Sequence, residues 1–207
     1  MKLLLMGAQG SGKGTAAEKL SVKYNIPTIS TGDLFRAVIK SGSELGNKIK
    51  SIIDAGHLVS DELTMQILNA RLAEPDCVNG YILDGFPRTM DQAYLLEKIT
   101  SIDKVIYLDV DFSIVIDRIA GRRTCPNCSH IHNIKYPGDP DYCSVCGTKY
   151  IIRADDTEEA IKKRLTTFVE KTLPIVEYYK QKGLVLQVDA SLNPEHTLSQ
   201  IIKGLGE

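Results

Sequence analysis

At 207 residues, 43% of them hydrophobic, the chain is long enough for one main domain with a sizeable core. Its 25 basic and 26 acidic side chains leave a net charge of −1, which excludes a global electrostatic pull toward nucleic acid or acidic membranes, so any anion site must be local. No stretch approaches the roughly 18 apolar residues of a membrane span, and the opening MKLLLMG lacks the longer apolar region and cleavage site of a signal peptide. The chain is therefore expected in the cytoplasm and off the membrane.

The first predicted strand is the apolar run Leu3 to Met6, and it leads directly into GAQGSGKGT, Gly7 to Thr15. A helix carrying Ala16, Ala17, Leu20 and Val22 follows, which is the strand, loop, helix setting that a phosphate-binding P-loop requires. Gly7, Gly10, Gly12 and Gly14 let the backbone curl until several N–H groups point into one concavity, and the helix N-terminus adds its dipole. Lys13 supplies a mobile positive charge. Gly14 stands where Ser or Thr usually follows the lysine, with the hydroxyl of Thr15 one place later, a shift that points away from GTPases and motor-type ATPases.

Further along, Ser30 and Thr31 ahead of Leu34, and Ser60 ahead of Leu63, are N-caps opening helices. Strands are predicted at Tyr81 to Leu83, Val105 to Val110 and Val185 to Val188, with amphipathic stretches between them and another N-cap at Asp156 or Thr157 ahead of Ile161. Repeated βα units predict an α/β fold with a doubly wound parallel sheet.

Between Cys125 and Tyr150 the rhythm breaks at Pro126, Pro137, Gly138, Pro140 and Gly147, which predicts an inserted, mostly irregular or small-stranded module. Cys125/Cys128 and Cys143/Cys146 form two C-x-x-C pairs 14 residues apart. That is the spacing of a tetrahedral Cys₄ structural zinc site, with no coordination position left open for catalysis; iron is the chemical alternative. The module has too few apolar residues to hold its own shape, so the metal substitutes for a core. Lys135 and Lys149 are its only lysines and Asp139 and Asp141 sit beside them, so no basic stripe for nucleic acid forms. Cys77 stands alone and is read as a small buried or loop residue.

Four more stretches occur in order: STGDLFR (Ser30 to Arg36), GHLVSDE (Gly56 to Glu62), LDGFPRT (Leu83 to Thr89) and DRIAGRR (Asp117 to Arg123). With GKGT they make the chain resemble the adenylate kinases of the long-lid type, from Lys2 to about Asp189. The resemblance implies reversible transfer, MgATP + AMP ⇌ MgADP + ADP, in adenine nucleotide homeostasis and salvage, by a monomer whose substrates are ATP, AMP and ADP. It also implies one P-loop kinase core over residues 1–207, with a mobile AMP-binding insertion at 30–59 and a zinc-stapled lid at 121–155. Mg²⁺ would arrive with ATP, held through water by Asp84.

By the same resemblance ATP would meet Gly10, Ser11, Gly12, Lys13, Gly14 and Thr15 of the loop, with Arg118 and the main chain of Leu192 at the adenine and His132 nearby. AMP would meet Thr31, Arg36, the backbone of His57, Leu58 and Val59, then Gly85, Phe86, Pro87, Arg88 and Gln92. Arg122, Arg153 and Arg164 would close over the transferring group, oriented by Asp155 and Asp156. Guanidinium forks suit this chemistry because each grips two phosphate oxygens and because phosphoryl transfer depends on positioning and charge neutralisation. Another nucleoside monophosphate kinase, preferring UMP or CMP, would use identical phosphate chemistry; Thr31 and Gln92 favour adenine. Two positions depart from the family's usual pattern: Gln9 stands where proline is common in the loop, and Ser60 where proline is common before Asp61 and Glu62.

Overall fold

The computed structural model describes residues 1–206. Five parallel strands form its central sheet: β1 (Lys2–Met6), β2 (Thr28–Ser30), β3 (Tyr81–Asp84), β4 (Lys104–Asp109) and β7 (Val185–Asp189), in the order β2-β3-β1-β4-β7. β1 is central and pairs Leu4 with Leu83 on one side and with Val105 on the other. It is apolar along nearly its whole length because both faces are covered, as parallel sheets require. Alternation then sends Leu3 and Leu5 into one core, and Leu4 and Met6 into the other.

The first core is closed by α1 (Lys13–Tyr24), α6 (Phe112–Ala120), α7 (Glu158–Thr167) and α9 (Pro194–Gly204). The second is closed by α4 (Asp61–Leu72), α5 (Met90–Ile99) and α8 (Leu173–Gln181). Cys77 is buried in this second core. On α1 the buried face is Ala16, Ala17 and Leu20, whereas Val22, read from the sequence together with them, is 82% exposed. β2 was not predicted; at three residues it is too short to display alternation, and only its pairing with β3 defines it.

Two substructures stand out from this frame. Helices α2 (Thr31–Lys40) and α3 (Glu44–Asp54) bury Phe35 and Ile49 with Val59 in a small core of their own. They approach so closely that a Cβ on Gly46 would lie 2.5 Å from the Val38 carbonyl oxygen. The second is an antiparallel pair, β5 (Arg122–Thr124) and β6 (Ile131–Asn133), continued by a bridge from Thr124 to Ile151.

The predicted caps form at Ser30, whose side chain accepts from the Asp33 N–H, and at Ser60, which accepts from the Leu63 N–H. Of the two alternatives at the start of α7, Thr157 is the cap, accepting from the Ala160 N–H at 3.2 Å. Asp156 is unavailable for capping because Arg122 and Gln9 occupy its carboxylate.

The chain moves to one side of β1 for β2 and β3 and to the other for β4 and β7. It therefore switches direction at the strand whose C-terminal end carries the glycine-rich loop, which is where open parallel sheets bind ligands.

Candidate active site

A cleft of about 790 Å³ opens along the C-terminal ends of β1, β2 and β3 and beneath the β5–β6 segment. Its floor is the glycine-rich loop. Gly10 has φ +83° and a Cβ there would sit 2.8 Å from Ile119 Cγ1, so only glycine fits. Gly12, at φ +102°, is the residue that opens α1, and nothing lies within 4 Å of where its Cβ would be. The backbone thus borders an open concavity at a helix N-terminus, the geometry of an anion cradle.

Lys13 bends back so that Nζ donates to the carbonyls of Gly7 (2.9 Å) and Ala8 (2.8 Å). Its pKa is lowered to about 8, chiefly by burial and further by the charges of Arg88 and Arg122, although Asp84 pulls the other way. Asp84, at the end of β3, is pushed above the usual carboxylate range by burial, and Lys13 and Arg88 counteract this.

The wall opposite Lys13 is built from α2, residues 57–59 and the loop after β3. Arg88 Nε donates to the Gly85 carbonyl at 2.7 Å, and burial, then the charge of Arg164, lowers its pKa. Arg36 is held by Asp33 on its own helix at 2.5 Å. Thr31 donates to the Gly85 carbonyl at 2.8 Å. Gln92 is buried with both ends of its amide engaged: Oε1 accepts from the Arg88 N–H (2.8 Å) and Nε2 donates to Asp61 (2.7 Å).

Three more guanidinium groups come from the segment above and from α7. Arg122, at the start of β5, makes a two-point contact with Asp156, with Nε to Oδ2 at 3.0 Å. Arg164 on α7 pairs with Asp155 and also donates to the Ile53 carbonyl at 3.2 Å. Burial works against ionisation of Asp155, but attraction to Arg164, the hydrogen bond with it and the charge of Arg153 outweigh this and hold the carboxyl below its usual range. Among the described residues Arg153 donates to Thr124 Oγ1 (3.0 Å), and burial together with Arg36 and Arg122 lowers its pKa to about 10.

A family model described as adenylate kinase matches residues 5–184. Adenylate kinases from Lachnospira eligens (44% identity, all of both chains) and Caldicellulosiruptor saccharolyticus (42%, all of this chain and 99% of the relative) are similar to it end to end. One from Oceanobacillus iheyensis is 46% identical over 91% of each chain. The chain belongs to the adenylate kinase family.

Placed against that family, every site residue predicted for the nucleotides lines the cleft except His132. On β6 the alternation points Ile131 and Asn133 into the cleft and His132 away from it, where its ring stacks on Tyr150 at 5.8 Å. His130 lines the cleft instead, 3.7 Å from Glu18 of α1. Arg118 and Leu192 do meet, but the Leu192 carbonyl expected at the adenine accepts from Arg118 at 2.6 Å. The sequence reading missed Gln9 as a side chain: its amide donates to Asp156 at 3.1 Å.

In the cysteine module, as its spacing predicts, the Sγ atoms of Cys125, Cys128, Cys143 and Cys146 all lie within 4.8 Å of one another. Neighbouring sulfurs are 3.4 to 3.6 Å apart, close to the roughly 3.8 Å edge of a tetrahedron with bonds of about 2.3 Å to zinc. The two pairs repeat one backbone turn. Ser129 N–H donates to Cys125 O and Gly147 N–H to Cys143 O, with φ of 61° and 70° at those two residues. Cys125 N–H then donates to His130 O and Cys143 N–H to Thr148 O, both at 2.9 Å. The donor set and its spacing fit a closed four-thiolate metal site.

Proposed function

We infer that this chain catalyses MgATP + AMP ⇌ MgADP + ADP with the residues assembled above. In the forward direction an oxygen of the AMP phosphate bonds to the γ-phosphorus of ATP, and the bond from that phosphorus to the β–γ bridging oxygen breaks. Lys13, with the loop N–H groups from Gly10 to Thr15, holds the β- and γ-phosphates. Arg36 and Arg88 hold the phosphate of AMP, while Arg122, Arg153 and Arg164 neutralise the charge spread over the group in flight. Asp84 would hold, through water, the Mg²⁺ that arrives with ATP, and that ion would supply further charge neutralisation.

One observation carries this reading. Arg36, Arg122 and Arg164 each hydrogen-bond to a carboxylate, whereas Lys13, Arg88 and Arg153 hydrogen-bond only to neutral oxygens among the described residues. The same three have lowered pKa values. Crowded, desolvated cations whose nearby carboxylates do not outweigh burial and mutual repulsion favour a polyanion, which the phosphates of two nucleotides would supply.

Zinc in the Cys₄ cage, a monomeric state, a cytoplasmic location, and movement of residues 30–59 and 121–155 as closing flaps complete the proposal. No helix among the described residues is long and apolar enough to cross a membrane. The deciding experiment measures ADP formation from ATP with AMP, UMP and CMP at equal concentration, together with metal content on the same sample. A preference for a pyrimidine monophosphate would overturn the assignment of AMP.

A further inference from the structure

Gln9 lies in the phosphate loop, yet its side chain reaches out of the loop to Asp156, 147 positions along the chain. Asp156 is 2% exposed at its side chain and receives both Nε and Nη2 of Arg122. Arg122 opens the β5–β6 segment, and Asp156 lies where the chain leaves the cysteine module, beyond the Thr124–Ile151 bridge and just before α7. An ionised carboxylate only accepts, so the amide NH₂ of Gln9 must face it. That orientation leaves Gln9 Oε1 buried with no donor among the described residues. A buried acceptor without a donor is costly, so the amide's orientation is dictated by Asp156.

We propose that Gln9 is a positioning residue for phosphoryl transfer: it fixes the Asp156 carboxylate and, through it, sets the Arg122 guanidinium over the phosphate loop when loop and lid meet. Proline at this position has no donor to offer, so this chain carries a tether that the commoner loop sequence lacks. The inference rests on the reading of Arg122 as a phosphate ligand given above. Because a guanidinium misplaced by a fraction of an ångström still binds substrate but serves the transition state poorly, the effect falls on kcat and spares KM.

The test is steady-state ADP formation by Gln9→Ala, Gln9→Pro, Arg122→Lys and the double variant Gln9→Ala/Arg122→Lys. Gln9→Ala and Gln9→Pro are each expected to lower kcat about tenfold, the equivalent of one hydrogen bond to a charged group. KM for AMP should stay within about twofold, and Tm within about 2 °C. In the Arg122→Lys background the Gln9→Ala change should cost less than about twofold, since the group it positions is already gone. Parent-level kcat in Gln9→Ala, or its full effect retained beside Arg122→Lys, overturns the proposal. Where Gln9→Ala does not fold, Gln9→Pro decides by the same criteria. An Arg122→Lys enzyme at the parent rate would instead sink the reading of Arg122 itself, and the tether with it.

Discussion

If phosphate satisfies Lys13, nucleotide binding must return to it the proton that burial drives off. With the pKa lowered to about 8 in the free cleft, Lys13 is about one-tenth neutral at pH 7, half neutral at pH 8 and nine-tenths neutral at pH 9. Bound phosphates raise the pKa back above this range, so binding should take up about 0.1, 0.5 and 0.9 of a proton at those three pH values. Phosphate groups with a second pKa near 6 are themselves fully ionised at pH 8 and 9, so they do not obscure the difference. The linkage sign is opposite to that of an ion-paired lysine. The folded-state pKa lies below the unfolded 10.5, so the free protein gains stability as pH rises from about 8 toward 10.5. Nucleotide affinity through this residue falls over the same interval. Calorimetric titrations with ATP in buffers of different ionisation enthalpy read the proton count directly. Lys13→Arg, whose charge is fixed, should bind without the pH-dependent uptake. Uptake that is flat between pH 7 and 9, or identical in Lys13→Arg, would refute the argument.

Arg88→Lys keeps a charge but loses the fork and its Nε bond to Gly85, and kcat/KM for AMP should fall about 100-fold in steady-state assays. Replacing Cys143 and Cys146 together by serine should abolish stoichiometric zinc binding and lower Tm by about 10 °C, while activity at 25 °C falls far less; an unchanged melting curve counts against a metal staple. Gly46→Ala places a Cβ 2.5 Å from Val38 O and should splay α2 from α3. The expected cost is about 1–3 kcal/mol by denaturant titration, with KM for AMP raised and KM for ATP unmoved.

What the sequence made legible is what local spacing encodes. The glycine-rich loop could be read because a β-to-α switch surrounds it, and the four strands longer than three residues because each is a short, predominantly apolar run, broken only by Asp109 in the run read for β4 and by Gln187 in β7. The cysteine cage followed from two identical spacings, which fold into two identical turns. What stayed hidden depends on partners far along the chain. β2 exists only through β3, and Asp156 resembles a helix cap until Arg122 and Gln9 are seen to hold it. His132 failed on phase: one residue in either direction on β6 enters the cleft, and no periodicity in a three-residue strand reports which. Gln9 and Gln92 carry the same amide, yet one is spent on Asp156 and the other on Arg88 and Asp61. Residue type alone states neither.

A metal in the cysteine cage, as proposed above, would also explain why the proposed flap need not resemble a domain. Among the described residues its buried cluster is Cys125, Cys143 and Tyr150, while Ile134, Tyr136, Tyr142, Val145, Ile151 and Ile152 are exposed. Apolar burial on that scale cannot order some thirty residues against the roughly 1–2 kcal/mol of backbone entropy each must lose. Thickening the flap with a true core would stabilise it, but it would also move Arg122 and Arg153 relative to the phosphate loop, which the inner face must meet closely: a Cβ on Gly14 would lie 3.2 Å from Ile131 Cδ1. Four thiolates on one ion would order two turns in the volume of a single side chain. Rigidity would thus be gained without thickness, as the proposed closure over two nucleotides requires.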